Sequence, residues 1–304
     1  MSIALFGSQG FLGKVLTAQL RATEEEVIAY SSSSGRETQL GIDSATGLLP
    51  AGFQLPASTR TLVYLAQSPF YRQVPERVDH LFSVNIVTPL KLADLARRAG
   101  VKRFIYASTG SVYAPSFQPL AESAPVRRDR WYPLSKIQAE DGLALYRNDF
   151  DVTCVRPFGI YGPNQSGMLV PNLLQSIAAG KEVTIDRNPH DANDHAGLKI
   201  SLCYVNDAAQ ALVNLLVAST LPRVLNLAGA TPVSIRTIAE AIGREIGAPA
   251  KITQADRLRE TDLIADTTEQ ARVVGLPATN FTSGLEQTIA AWQATAERKA
   301  VCAA

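Results

Sequence analysis

The sequence has no excess of charge: 29 basic residues stand against 28 acidic ones, for a formal charge of +1. It has no basic block either, which excludes nucleic-acid binding built on phosphate neutralisation. No apolar run approaches the roughly 18 residues that span a bilayer. No basic leader followed by an apolar core opens the chain, so a cytoplasmic location away from membranes is expected. Cysteine is scarce. Cys154, Cys203 and Cys302 are odd in number and far apart, a spacing that makes neither a disulfide framework nor a zinc knuckle. Of the few histidines, His190 and His195 flank the run HDANDH, which reads as a polar surface loop rather than a metal site.

What remains is a chain of 304 residues, 46% apolar and 19% charged, enough for about two average domains or one large domain with an added lobe. Strand-like runs at 3–6, 27–30, 61–66, 103–107 and 152–156 alternate with helical spacing at 11–20, 75–99 and 133–146. Gly100 is placed to cap the second helix. Residues 31–60, rich in Ser, Gly and Pro, receive no assignment. The alternation predicts an α/β fold whose parallel sheet is covered on both faces. After Gly162 the pattern loosens into a polar loop at 186–197, helices at 207–218, 234–246 and 282–292, and a short strand at 224–227. This half is expected to form a smaller lobe over one end of the sheet.

Gly7, Gly10 and Gly13 stand as G-x-x-G-x-x-G between the first strand and the first helix. Glycine there permits a tight turn and a close approach of backbone to a pyrophosphate, and the helix start offers unpaired N–H groups to the anion. The end of the second strand bears Ser31 and Ser32, with Arg36 close behind, where a carboxylate would select NAD. Hydroxyls and a guanidinium suit a 2′-phosphate, so the cofactor is NAD or NADP with a lean towards NADP. Tyr132 and Lys136, at i and i+4, share one helix face. An ammonium one turn away favours the phenolate and makes Tyr132 a usable acid/base. Ser108, Thr109 and Ser111 follow the strand RFIYA, and a strand's carboxyl end is where ligands sit in doubly wound sheets. Arg127, Arg128 and Arg130 read as a solvated loop entering the helix of Tyr132. Phe70, Tyr71 and Tyr113 either line the nicotinamide end or fill the core.

Together GSQGFLG at 7–13, VYLAQ at 63–67, Asn85 in NIVTPL, ASTGSVYA at 107–114, YPLSK at 132–136, RPFGIYGP at 156–163, CYVND at 203–207, NLAG at 226–229 and RETD at 259–262 resemble an extended short-chain dehydrogenase/reductase of the nucleotide-sugar epimerase/dehydratase group. The resemblance implies a Rossmann-type doubly wound parallel sheet over 1–160, with 200–228 returning to it, and a smaller C-terminal substrate-binding lobe from 161–199 and 229–304. It implies Thr109, Tyr132 and Lys136 as catalytic residues. It places Leu65, Ala66, Gln67, Asn85, Pro157 and Phe158, besides Phe11, Leu12 and the glycines, at the cofactor. Ser108, Thr109, Ser111, Gly159, Lys199 and Arg259 fall at the substrate. It also implies a homodimer through the helices 75–99 and 132–146.

The chain departs from the family pattern at several points. Gly110 and Ser111 replace the Asp-Glu pair of sugar dehydratases, which speaks against 4,6-dehydration. Gly159 replaces a diphosphate-binding Asn. Ile200 aligns with an arginine, leaving Lys199 one place off, and Arg259 matches a phosphate-binding arginine although Thr261 replaces a glycine. The expected function is an NAD(P)-dependent epimerase of a nucleotide-activated sugar, by transient hydride transfer at a sugar carbon. The alternative is an NADPH-dependent ketoreductase of a keto-sugar nucleotide or related carbonyl. A non-catalytic dinucleotide sensor would not need Tyr132 and Lys136.

Overall fold

The computed structural model describes residues 2–23 and 25–303, with side chains through Thr295, so the side chain of Cys302 falls outside it. The first half runs β1 (Ser2–Phe6), α1 (Phe11–Arg21), β2 (Glu26–Ser31), β3 (Gln39–Leu40), β4 (Thr59–Tyr64), α2 (Val78–Phe82), α3 (Thr88–Ala99), β5 (Arg103–Ala107), α4 (Trp131–Ala144) and β6 (Asp151–Pro157). The second half runs β7 (Ile160–Tyr161), α5 (Leu169–Ala178), β8 (Val183–Arg187), β9 (Lys199–Ile200), β10 (Cys203–Tyr204), α6 (Val205–Val217), β11 (Val224–Leu227), β12 (Val233–Ser234), α7 (Ile235–Glu245), β13 (Ile252–Leu258), α8 (Thr268–Val273) and α9 (Phe281–Ala303).

Seven strands form one parallel sheet in the order β11-β6-β5-β4-β1-β2-β3. Its central strands carry the apolar runs IALF, LVY and FIYA because both faces of the sheet are buried. Ala4, Phe6, Leu62, Tyr64, Phe104 and Tyr106 point to the side covered by α3 and α4, where Leu92, Ala96, Ala139 and Leu143 meet them. The alternate residues Ile3, Leu5, Val63, Ile105, Val155 and Leu225 face α1 and α6 through Leu16, Leu20, Ala208 and Leu212. The direction of strand progression reverses between β1 and β4, so the crevice for a ligand opens at their carboxyl ends. This is the Rossmann arrangement.

The expected helix at 75–99 is interrupted. Ser83–Val87 form a π turn between α2 and α3, held by Tyr64 Oη donating to the Val84 carbonyl at 2.5 Å and Tyr106 Oη to the Asn85 carbonyl at 2.9 Å. Gly100 ends α3 in the left-handed region, φ 71°. The second half builds its own core from Tyr161, Leu174, Ile185, Ile238, Ile242 and Leu285. The parallel pair β8 and β13 lies outside the sequence reading. Residues 268–273 depart from it too. Expected in the lobe, α8 packs on β11, because the amide of buried Gln270 accepts from the Ala228 N–H at 2.8 Å and donates to its carbonyl at 3.0 Å.

Candidate active site

At the carboxyl end of β1, the Gly7 and Ser8 N–H groups donate to the Tyr30 carbonyl at 3.0 and 3.1 Å and turn the chain sharply. Gly7 has φ +84°, and a Cβ there would lie 2.7 Å from the Ala66 nitrogen. A Cβ on Gly13 would lie 2.0 Å from the Gly7 carbonyl oxygen. Gly10 starts α1 with no side-chain cap and no acid in the first turn. The residues therefore fit a dinucleotide: bare backbone and a helix N-terminus meet a pyrophosphate with no carboxylate to repel it.

From this turn a cavity of about 450 Å³ extends towards the lobe. Gly7, Gly10, Phe11, Leu12, Gly13, Leu65 and Gln67 line its cofactor end, and Ser108, Thr109, Ser111, Tyr132, Lys136, Pro157, Phe158 and Gly159 line the rest. Not every expected residue reaches it. Ala66 forms the wall behind Gly7 rather than the lining. Asn85 is wholly buried behind α4, its amide donating to Ser135 Oγ at 3.0 Å. Ser31 spends its hydroxyl on a local turn, donating to the Ser33 carbonyl at 2.5 Å, whereas Ser32 and Arg36 are exposed beyond the cavity.

Lys199 and Arg259 are placed off the lining as well. Arg259 is buried between Asp194, at 2.6 Å, and Asp262, at 3.0 Å. Asp194, read as part of a surface loop, has its side chain buried in an ion pair, and a second cation, Lys199, lies 3.5 Å from it. Burial works against the Asp194 charge, yet hydrogen bonds from Arg259 and Asn188 hold its carboxyl well below the usual range. These two cations are matched by the protein's own carboxylates.

The residues expected to be catalytic, Thr109, Tyr132 and Lys136, line one cavity. Tyr132 Oη donates to Gln67 Oε1 at 2.9 Å, and the Tyr132 ring lies 5.2 Å from that of Tyr71. Burial pushes the Tyr132 phenol up, and the facing Thr109 hydroxyl pulls it the other way. Lys136 Nζ donates to the Ala107 carbonyl at 2.8 Å. Burial draws its pKa down to about 7, opposed by the charge of Glu140. Behind this pair lies a polar cluster that the sequence reading missed. Arg156 Nη2 and Nε donate to Glu140 at 2.6 and 3.1 Å, both side chains are buried, and Ser108 Oγ also donates to Glu140. Glu140 stands one helical turn after Lys136, a spacing that signals it. Tyr71, Arg72, Gln165, Met168 and Leu169 also line the cavity without having been singled out as substrate contacts.

Residues 3–228 match the model of the NAD dependent epimerase/dehydratase family. The chain is 27% identical over 274 residues to a UDP-glucose 4-epimerase of Mycolicibacterium smegmatis, covering 82% of this chain and 84% of that one. It is 26% identical to a dTDP-4-dehydro-6-deoxy-D-allose reductase of Streptomyces bikiniensis, over 94% of each. In fold it is similar to a UDP-glucuronic acid 4-epimerase from Bacillus cereus solved with UDP-glucuronic acid and NAD, at a TM-score of 0.80 and 18% identity over 97% of this chain and 100% of that one. With the glycine turn, the Tyr132/Lys136 face and the sheet order already in place, the chain belongs to the NAD-dependent epimerase/dehydratase family.

Proposed function

We propose that the chain is an NAD(P)-dependent epimerase of a nucleotide-activated sugar, acting by transient hydride transfer at a sugar carbon. The observation that carries this reading is the convergence of Thr109, Tyr132 and Lys136 on the cavity that the glycine turn closes. A nicotinamide dinucleotide supplies the hydride acceptor and donor when bound. Tyr132 takes the proton of a substrate hydroxyl at its phenolic oxygen and later returns it. Thr109 orients the same substrate oxygen through its hydroxyl. Lys136, one turn along the same helix face, favours the phenolate by its charge. Phe158 and Tyr71 exclude water from the reacting end.

A second reading, net reduction of a keto-sugar, is favoured by the end of β2. Ser31 and Ser32 stand there without a carboxylate, and Arg36 follows as a cation for the 2′-phosphate of NADP. Relatives named for epimerisation and for reduction support each reading in turn. A homodimer belongs to this proposal: Val87, Trp131 and Leu145 are exposed on or beside α3 and α4, and light scattering at micromolar concentration reads it. A cytoplasmic place of action is part of the same reading; among the described residues no helix is long and apolar enough to cross a membrane.

The test offers UDP-glucose with added NAD for the first reading and a keto-sugar nucleotide with NADPH for the second. NMR of the sugar protons separates an epimer from a reduced product. Tyr132→Phe is expected to lower turnover by about 10²–10⁴ with the dinucleotide still bound. Near-wild-type turnover in that variant would sink the mechanism.

A further inference from the structure

Among the described residues that line the cavity, the charged ones are Lys136 and Arg72, and no carboxylate accompanies them. Lys136 is buried and held by the Ala107 carbonyl. Arg72 differs. It has no acidic partner among the described residues; its Nη1 donates to the Gly167 carbonyl at 3.2 Å, and Nη2 lies 3.9 Å from Met168 Sδ. Its guanidinium sits 5.1 Å over the Tyr71 ring, and that ring is 5.2 Å from the ring of Tyr132. The cation is therefore folded against the cavity wall, one aromatic contact from the acid/base.

Other cations around the site are matched. Arg127 pairs with Asp129 at 2.8 Å and Arg130 with Glu260 at 2.9 Å. Lys199 and Arg259 are taken by Asp194 and Asp262. The lobe wall is made by Ile160, Met168, Leu169, Ile200 and Leu263 with the uncharged Gln165 beside them. Position 159 is a glycine with φ +38° and projects no side chain into the cavity. An anionic group on the substrate thus finds one guanidinium with donors to spare, since Arg carries five N–H donors in a fork suited to a carboxylate or phosphate.

We propose that Arg72 is a specificity-determining residue that binds an anionic group of the substrate, a carboxylate or a phosphate, beyond the carbon handled at Tyr132. This rests on the hydride-transfer reading above. It makes the substrate an acidic or phosphorylated one and places the recognition of its charge on the segment after β4 instead of on Arg259.

Two probes separate the sources of charge. UDP-glucose and UDP-glucuronate share the diphosphate and differ in one sugar carboxylate. Their binding to the NAD-loaded wild-type chain, Arg72→Met and Arg72→Lys is measured by calorimetry, with NAD affinity and melting temperature measured alongside. Arg72→Met is expected to bind the recognised probe about 10- to 100-fold more weakly, the value of a charge-assisted contact. Loss confined to UDP-glucuronate assigns the sugar carboxylate, and equal loss on both assigns the phosphates. Partial recovery in Arg72→Lys supports a charge contact. Unchanged binding of both probes to Arg72→Met overturns the proposal while leaving the hydride chemistry intact. A loss matched by falling NAD affinity and melting temperature overturns it too, in favour of a structural role for the Gly167 contact. Failure of both probes to bind wild type overturns the nucleotide-sugar reading together with this one.

Discussion

Replacing Glu140 by alanine tests whether the ion pair behind α4 holds the site together. The Arg156 and Glu140 side chains are 6% and 8% exposed, and two guanidinium nitrogens reach the carboxylate, at 2.6 and 3.1 Å. Against the burial that alone would lower it, the Arg156 pKa is pushed further up by those bonds. Without the carboxylate, Arg156 keeps the Glu122 carbonyl at 3.2 Å and the face of the Tyr113 ring at 4.8 Å. Neither cancels a buried charge. The cost is that of breaking a buried pair from one side, about 3–5 kcal/mol. For a chain of this size that lowers the melting temperature by roughly 5–8 °C. Glu140→Gln keeps the shape and an acceptor for Ser108, so it is expected to lose less. Adding Arg156→Met to Glu140→Ala removes the stranded charge and is expected to restore much of the loss. Chemical denaturation of wild type, Glu140→Ala, Arg156→Met and the double variant, with m-values held in common, gives the cycle. A loss below about 1 kcal/mol in Glu140→Ala, or strict additivity in the double variant, would refute the reasoning.

Lys136→Met addresses pH. The folded pKa is drawn from 10.5 to about 7, so between those values the unfolded chain holds a proton that the folded chain does not, and wild-type stability rises with pH across that window. The advantage of the methionine variant over wild type is therefore expected to be largest below pH 7 and to shrink towards pH 10.5; a difference of the same size at both ends of the window counts against the lowered lysine pKa. Arg36→Ala is expected to weaken NADP binding about 10- to 100-fold and to leave NAD binding unchanged, by fluorescence titration of both cofactors. Equal NADP affinity in the variant would remove Arg36 from phosphate recognition.

The parallel strands were legible because burial on both faces writes an apolar run such as IALF or RFIYA directly into the chain. The glycine turn, the strand-end hydroxyl and the Tyr132/Lys136 spacing were legible for a similar reason: each is local. What escaped depends on distant partners. Strand β8 is short, β13 has no fully buried position and is largely exposed and partly charged, and the two are defined by pairing with each other. Asp194 sits in a run of polar residues, and composition cannot tell that this one is drawn inward by Arg259, 65 positions later. Gln270 looks like a surface residue until Ala228 supplies both partners for its amide. The π turn at Ser83–Val87 leaves no mark in the periodicity, since it adds a residue to a helix that is otherwise regular. Arg72 went unnoticed as one arginine among many; its meaning lies in the lack of an acid beside it.

The chain crosses repeatedly between its two halves. It leaves the sheet after β6, returns for α6 and β11, leaves again for α7 and β13, and comes back through α8. This interlacing bears on how the protein is made and cut. A fragment ending at 160 would lack β11, and β6 would become the open border of the sheet, offering bare amides and carbonyls to any neighbouring strand. Such a fragment should self-associate rather than serve as a working half. During synthesis the sheet likewise stays unfinished until residues 224–227 emerge, so the early chain passes through a stage in which β6 is a border that β11 covers in the finished protein.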